Sequence, residues 1–375
     1  MKKAVKYGII AVVVVLLIVI VAFVGVYYTR IETMNSIQKI TSYDDGYNIY
    51  KMDVKYDYSI DNIINYGITD DQSMVDAITK ECIPLIPVHI KAPEFGCTAF
   101  TMHDTGNGTM MGRSYDFALN TSAMIVHCKP KNGYESVAFA ALDNVSANNI
   151  DSLESKFAAL TAPFICLDGI NEKGVSIAVL TLDSKQTNQN TGKEKIFTSL
   201  AIRLVLDRCA TTQEAYELLQ KYDMYASSGR DYHFYVTDAS GDGRIFEYDL
   251  KDPDRKLTVT KTDVATNFYV MYEEYVEPYK KNEYGHGKER YDAAKDVLGL
   301  NNSTETHDNN EKLAWDALKA VAQEPKQGDP TSNTQWSIVY NNRDLTAHVA
   351  LRRNWDDVYL YDLEENSLAK RVETE

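Results

Sequence analysis

Three stretches differ in how apolar and polar positions are spaced. Gly8 to Tyr28 carries no charge and is dominated by Val, Ile, Leu and Ala. That is about the length a helix needs to cross the ~30 Å hydrocarbon core of a bilayer. Lys2, Lys3 and Lys6 precede it, and the positive-inside rule then places the N-terminal tip in the cytoplasm and the remainder outside. A cleaved signal peptide is the other reading of such a run. Its length, and the lack of a clear Ala-x-Ala site after it, favour a retained anchor. Residues 29–96 are rich in Tyr, Asp and Asn and only weakly periodic. Ser73 to Thr79 has the spacing of a short helix. The proline-broken run from Cys82 to Val88 follows, and the segment as a whole reads as a pro-segment or stalk.

From Cys97 onward the pattern is α+β. Thr98–Met102, Thr109–Arg113, Gly174–Leu182, Tyr232–Thr237, Arg244–Leu250, Gln335–Tyr340, Thr346–Leu351 and Val358–Leu363 read as strands. Ser199–Leu206, Thr212–Leu219 and Trp315–Ala322 have helical spacing, the second with Thr211 or Thr212 as N-cap. Strands, then helices, then strands fit two packed sheets between helical layers. The chain is thus expected to comprise an anchor (1–28), a pro-segment or stalk (29–96) and one globular domain (97–375).

Charge narrows the partners. The net charge is −15 over 375 residues. Setting aside Lys2, Lys3, Lys6 and Arg30 leaves 35 basic against 54 acidic side chains, or −19. An acidic exterior repels phosphate backbones, so nucleic acid is not an expected partner. The five cysteines, Cys82, Cys97, Cys128, Cys166 and Cys209, are odd in number and include no Cys-x-x-Cys. They suggest neither a disulfide framework nor zinc. Asp238, Ser240 and Asp242 loosely mimic a calcium loop, but a strand follows, so they read as a turn. No metal or organic cofactor is implied.

An unpaired thiol in an outward-facing protein is a candidate for reactivity. Cys97 follows Gly96 and opens a hairpin-like stretch that continues to Gly112-Arg113-Ser114-Tyr115-Asp116-Phe117. Further on come Asn171-Glu172-Lys173-Gly174, Ala265-Thr266-Asn267 and Gly287-Lys288-Glu289-Arg290-Tyr291. In this order the four segments resemble the choloylglycine hydrolase and penicillin V acylase family of N-terminal-nucleophile (Ntn) amide hydrolases. The resemblance implies a four-layer αββα sandwich and a cysteine nucleophile acting on linear amides of small N-acyl compounds. It implies Cys97 as nucleophile, Arg113 beside the thiolate or the substrate carbonyl, and Asp116 holding the α-amino group. It also implies Asn171 and Asn267 as oxyanion donors and Arg290 as the balance to Asp116.

A nucleophile that uses its own α-amino group as base must begin a chain. Its reference pKa of about 7.7–8.0 suits that role near neutral pH. Here 96 residues precede Cys97. The expectation is self-cleavage at Gly96–Cys97, as in the acyl-transferring and ceramidase-like relatives. Plainer readings stand beside each residue: a core cysteine for Cys97, a surface pair for Arg113 and Asp116, turn or strand-end residues for Asn171 and Asn267, and a solvated charge for Arg290. An acyltransferase or ceramidase-like amidase on the same site, and a non-enzymatic envelope binding protein, are the alternative functions. A homo-oligomer is compatible with all three.

Overall fold

The computed structural model describes residues 2–42, 46–84, 96–103, 108–117, 121–300, 310–325 and 333–371. Its centre is a pair of face-to-face sheets. The larger has nine strands, in the order Gln38–Ser42, Asn48–Val54, Ala123–Cys128, Ser136–Ala141, Cys166–Asn171, Ser176–Leu182, Asp231–Thr237, Arg244–Tyr248 and Leu257–Lys261. The smaller has seven: Val264–Ala265, Gly96–Met102, Met110–Asp116, Thr334–Asn341, Thr346–Leu351, Asn354–Asp362 and Ser367–Lys370.

Alternation along the strands explains the layers. On Gly96–Met102 and its partner, Cys97, Ala99, Met111 and Tyr115 point into the main core between the sheets. Phe100, Met102 and Met110 point to the other side, as period-2 side chains must. That outer face packs under helices Lys288–Val297 and Asn310–Val321 through Tyr291, Ala294, Ala314 and Leu318. The far face of the larger sheet is covered by helix Thr198–Arg208, with Leu200, Leu204 and Leu206 fully buried. Helix, sheet, sheet, helix is the expected layering. Gly112 fits it locally, since a Cβ there would lie 2.1 Å from the Phe100 ring.

The strand and helix expectations after Cys97 hold in outline. Asp238 is a turn residue: Oδ1 accepts from Ser240 N at 2.9 Å and Oδ2 from Thr212 N at 2.8 Å. Among the described residues no group of three His, Cys, Asp or Glu could hold a metal ion.

Two expectations about the N-terminal part change. Lys2–Asn35 forms one helix of 34 residues. Among the described residues, however, no helix is long and apolar enough to cross a membrane. Several side chains of this helix, positions 16, 18–20 and 22 among them, lie outside the description. The transmembrane expectation therefore has no support from the structure and rests on sequence alone.

The second change concerns the stalk. Residues expected to stand apart are built into the domain. Strand Asn48–Val54 pairs in parallel with Ala123–Cys128 from Ile49↔Ala123 to Val54↔Cys128. Met52, Ile63 and Ile78 are fully buried in the main core. Polar ties reinforce the junction: Tyr56 Oη donates to Leu160 O at 2.5 Å, and Tyr225 Oη to Asp71 Oδ1 at 3.0 Å. Arg30, near the end of the long helix, donates to Cys82 O at 2.6 Å and Glu81 O at 2.8 Å. It thereby satisfies end carbonyls of helix Asp71–Cys82, where a cation also complements the helix dipole. The junction from 85 to 95 lies outside the described residues.

Candidate active site

Cys97 is the second residue of its strand, paired across the hairpin with Tyr115, while Gly96 pairs with Asp116 and Ala99 with Arg113. The register therefore places Arg113 on the face of the thiol and Asp116 opposite the Gly96–Cys97 bond. Two later segments converge on the backbone of Cys97. Its N–H donates to Asn267 Oδ1 at 3.0 Å, and its carbonyl accepts from Arg290 Nη1 at 2.9 Å. Arg290 also donates to Asn267 Oδ1 at 2.6 Å and to Thr98 Oγ1 at 2.9 Å, with Asp116 Oδ2 at 3.7 Å. Gly287 makes room for that guanidinium: at φ 87° it adopts a backbone that favours glycine, and a Cβ would sit 2.4 Å from Arg290 Nη2.

Five of the six expected residues thus come together: Cys97, Arg113, Asp116, Asn267 and Arg290. None is a surface charge, since all are at least nine-tenths buried. Asn171 does not join them. Its Nδ2 donates to Leu206 O and Cys209 O, and its Oδ1 accepts from Lys173 N and Val175 N. It ties the end of helix Thr198–Arg208 to a turn, and the oxyanion role is corrected to the turn reading. The cause is strand parity. Residues 169 and 171 face the helix, whereas 168 faces the space between the sheets.

Asp168 is the residue sequence reasoning missed. Fully buried, it accepts from Tyr340 Oη at 2.5 Å and Arg113 Nε at 3.3 Å. Burial raises its pKa, and Arg113 opposes the rise. An acid ending the apolar run Phe164-Ile165-Cys166-Leu167 was the available signal, because a carboxylate on a buried strand needs a cation.

Burial pushes the Cys97 thiol up to about 11, with Arg113 pulling it down and Asp116 adding to the rise. Burial likewise raises Asp116, with Arg290 the main opposing charge. Two buried polar atoms of the site have no hydrogen-bond partner among the described residues: Arg113 Nη2 and Asp116 Oδ2. Thr181 belongs to the site through its carbonyl, which accepts from Asn267 Nδ2 at 2.9 Å. Buried orphans of this kind call for an explanation, and a ligand is one.

The raised thiols have a consequence for the uncut chain. Burial lifts Cys97 and Cys128 to about 11, and Cys82 and Cys209 to about 12. A raised thiol pKa means the fold favours the protonated form. That stability is complete below about pH 8.5 and is lost as pH rises through 11 to 12. The melting temperature should therefore fall between pH 9 and 11. In the uncut Cys97→Ala chain, a further Cys128→Ala should flatten the fall, by on the order of 2–3 kcal/mol at the alkaline end. A melting curve series in reducing buffer checks this, and an identical slope in the variant would contradict it.

A sequence model of the linear amide C–N hydrolases, choloylglycine hydrolase family, matches residues 97–292, beginning at Cys97 itself. The chain belongs to the choloylglycine hydrolase family. It is accordingly a linear amide C–N hydrolase. Solved structures agree on the fold. Penicillin V acylase from Agrobacterium tumefaciens superposes with a TM-score of 0.52 at 17% identity, over 73% of this chain and 90% of that one. Two variants of conjugated bile acid hydrolase from Clostridium perfringens give TM-scores of 0.52 and 0.51 at 15% identity, over 74% of this chain and 97% of theirs. No curated protein matches this member of the family.

Proposed function

We propose that this choloylglycine hydrolase family member is a cysteine-nucleophile hydrolase of N-acyl amides, matured by cutting itself at Gly96–Cys97. The observation that carries the reading is the convergence on one residue. Asn267 and Arg290 grip the backbone of Cys97 on both sides, while Arg113 lies beside its thiol.

In maturation, Sγ attacks the Gly96 carbonyl, the Gly96–Cys97 C–N bond breaks, and a thioester forms as the α-amine is freed. Water then hydrolyses the thioester to a Gly96 carboxylate and a free thiol. The new α-amino group has more N–H bonds to donate than the peptide it replaces. Asp116 Oδ2, on the residue paired with Gly96 and without a hydrogen bond although 3.7 Å from Arg290 Nη1, supports a role in accepting one. In turnover the α-amino group takes the thiol proton and delivers it to the leaving amine. Arg113 supports the thiolate. Asn267 uses one Nδ2 hydrogen on Thr181 O and has a second for the oxyanion, and Arg290 fixes Asn267. The substrate class is N-acyl amides with an apolar acyl part, such as penicillin V or a conjugated bile salt. The charge-free run Gly8–Tyr28 supports a membrane anchor with the catalytic domain outside the cell.

The test is amine release from penicillin V and a conjugated bile salt by the purified full-length chain. Asn267→Ala should lower kcat by about 10²–10³, as removal of an oxyanion donor does. Unchanged kcat in that variant would remove Asn267 from the reaction. Including an amine acceptor separates hydrolysis from acyl transfer.

A further inference from the structure

The chain on both sides of Asn267 is hydrogen-bonded to one buried pair. His233, on strand Asp231–Thr237, and Glu247, on the neighbouring strand Arg244–Tyr248, are both fully buried. His233 Nε2 lies 2.8 Å from Thr266 O, and its Nδ1 lies 3.1 Å from Glu247 Oε1. A carbonyl only accepts, so Nε2 carries a hydrogen. Nδ1 then faces a carboxylate oxygen, and one proton must lie between them. Glu247 completes the clamp on the far side, accepting from Val270 N at 2.7 Å and Met271 N at 3.0 Å. The pair therefore holds the carbonyl just before Asn267 and the N–H groups three and four residues after it. Asn267 in turn faces Cys97 N and Thr181 O at 3.0 and 2.9 Å.

We propose that His233, acting with Glu247, is a positioning residue of this enzyme that sets the Asn267 carboxamide against the Cys97 nitrogen and the oxyanion. The inference rests on the reading of Cys97 and Asn267 given above. A carboxamide that must meet a developing charge at hydrogen-bond distance loses its effect when displaced by about 1 Å. Neither His233 nor Glu247 is needed as a proton donor or acceptor to substrate, since both are engaged by backbone groups.

The experiment is a double-mutant cycle read on acylation of Cys97 in the full-length chain. The probe is p-nitrophenyl phenylacetate, whose burst of p-nitrophenolate reports acyl transfer to the thiol. His233→Leu should slow the burst by about 10–100-fold, within the range of a weakened oxyanion donor. His233→Gln, which keeps an N–H for Thr266 O, should recover most of the rate. In an Asn267→Ala background, His233→Leu should cost less than a further twofold, because residues that act as a unit are non-additive. A purely architectural role predicts the opposite: a lower melting temperature and a full second loss on top of Asn267→Ala. That result, or a His233→Leu burst within twofold of wild type, overturns the inference. If His233→Leu does not fold, Glu247→Gln, which is isosteric, carries the same cycle with the same criteria. A burst unchanged by Asn267→Ala overturns the reading of Asn267 and the inference with it. A wild-type burst that survives Cys97→Ala overturns the nucleophile instead.

Discussion

A Cys97→Ala chain is expected to remain one polypeptide under conditions in which the wild type divides at Gly96–Cys97, and to lose turnover. The bond has no reason to break without Sγ. A peptide hydrolyses only when something attacks its carbonyl, and the nearest nucleophile is the thiol one residue on. The surroundings provide support and no substitute: Arg113 and Arg290 are cations, and Asn267 is a neutral amide. Removing a catalytic nucleophile elsewhere costs on the order of 10⁶ in kcat. The variant should still fold, because Cys97 is a small, fully buried side chain in a strand and alanine leaves only a minor void. Intact mass and N-terminal sequencing decide it. A variant cut at the same bond would mean that another agent makes the cut, and the self-cleavage reading would fall.

The second large effect concerns the chain that the family match alone would suggest expressing, residues 97–375. It is expected not to fold. The family match starts at Cys97, so everything before it lies outside what that match covers. Yet Ile60, Ile63, Ile64, Met52, Met74 and Ile78 are each at most 4% exposed and belong to the main core. At about 1.5–3 kcal/mol for burying a large apolar side chain, six of them rival the whole 5–15 kcal/mol stability of a domain. Removing strand Asn48–Val54 also leaves Ala123–Cys128, buried along its length, as an open sheet edge prone to pairing with other chains. Solubility and far-ultraviolet circular dichroism of residues 97–375, beside the full chain, measure this. A monodisperse, folded 97–375 would show the preceding segment to be dispensable.

How far the sequence reached depends on how local each signal is. Cys97, Arg113 and Asp116 were picked out by the family resemblance, and the pairing of Gly96–Met102 with Met110–Asp116 is the local feature that brings them together. Asn267 and Arg290 lie 170 and 193 residues from Cys97, and only the family resemblance brought them in. Asn171 was misplaced because a motif read as a string hides parity, and three positions along a strand reverse the face. Asp168 was passed over in the same motif for the same reason. Strands Gln38–Ser42 and Asn48–Val54 were missed because Lys51 and Asp53 interrupt the apolar pattern. In the fold these two pair with each other at 2.8 Å, and Asp53 also accepts from Asn366 at 3.2 Å. Charge satisfied inside a structure looks the same in sequence as charge left in water.

The parallel pairing of Asn48–Val54 with Ala123–Cys128 gives the proposed cut an unusual outcome. A strand lodged inside a sheet is not released by breaking the chain 42 residues beyond its last residue, Val54, so scission at Gly96 yields two polypeptides in one fold. What changes is the molecularity of unfolding. Before the cut, folding is unimolecular and independent of concentration. After it, unfolding is a dissociation, and recovery requires two chains to meet. The mature enzyme would then be held by its barrier to opening more than by its ability to refold. The uncut precursor is the only form that can fold from a single chain.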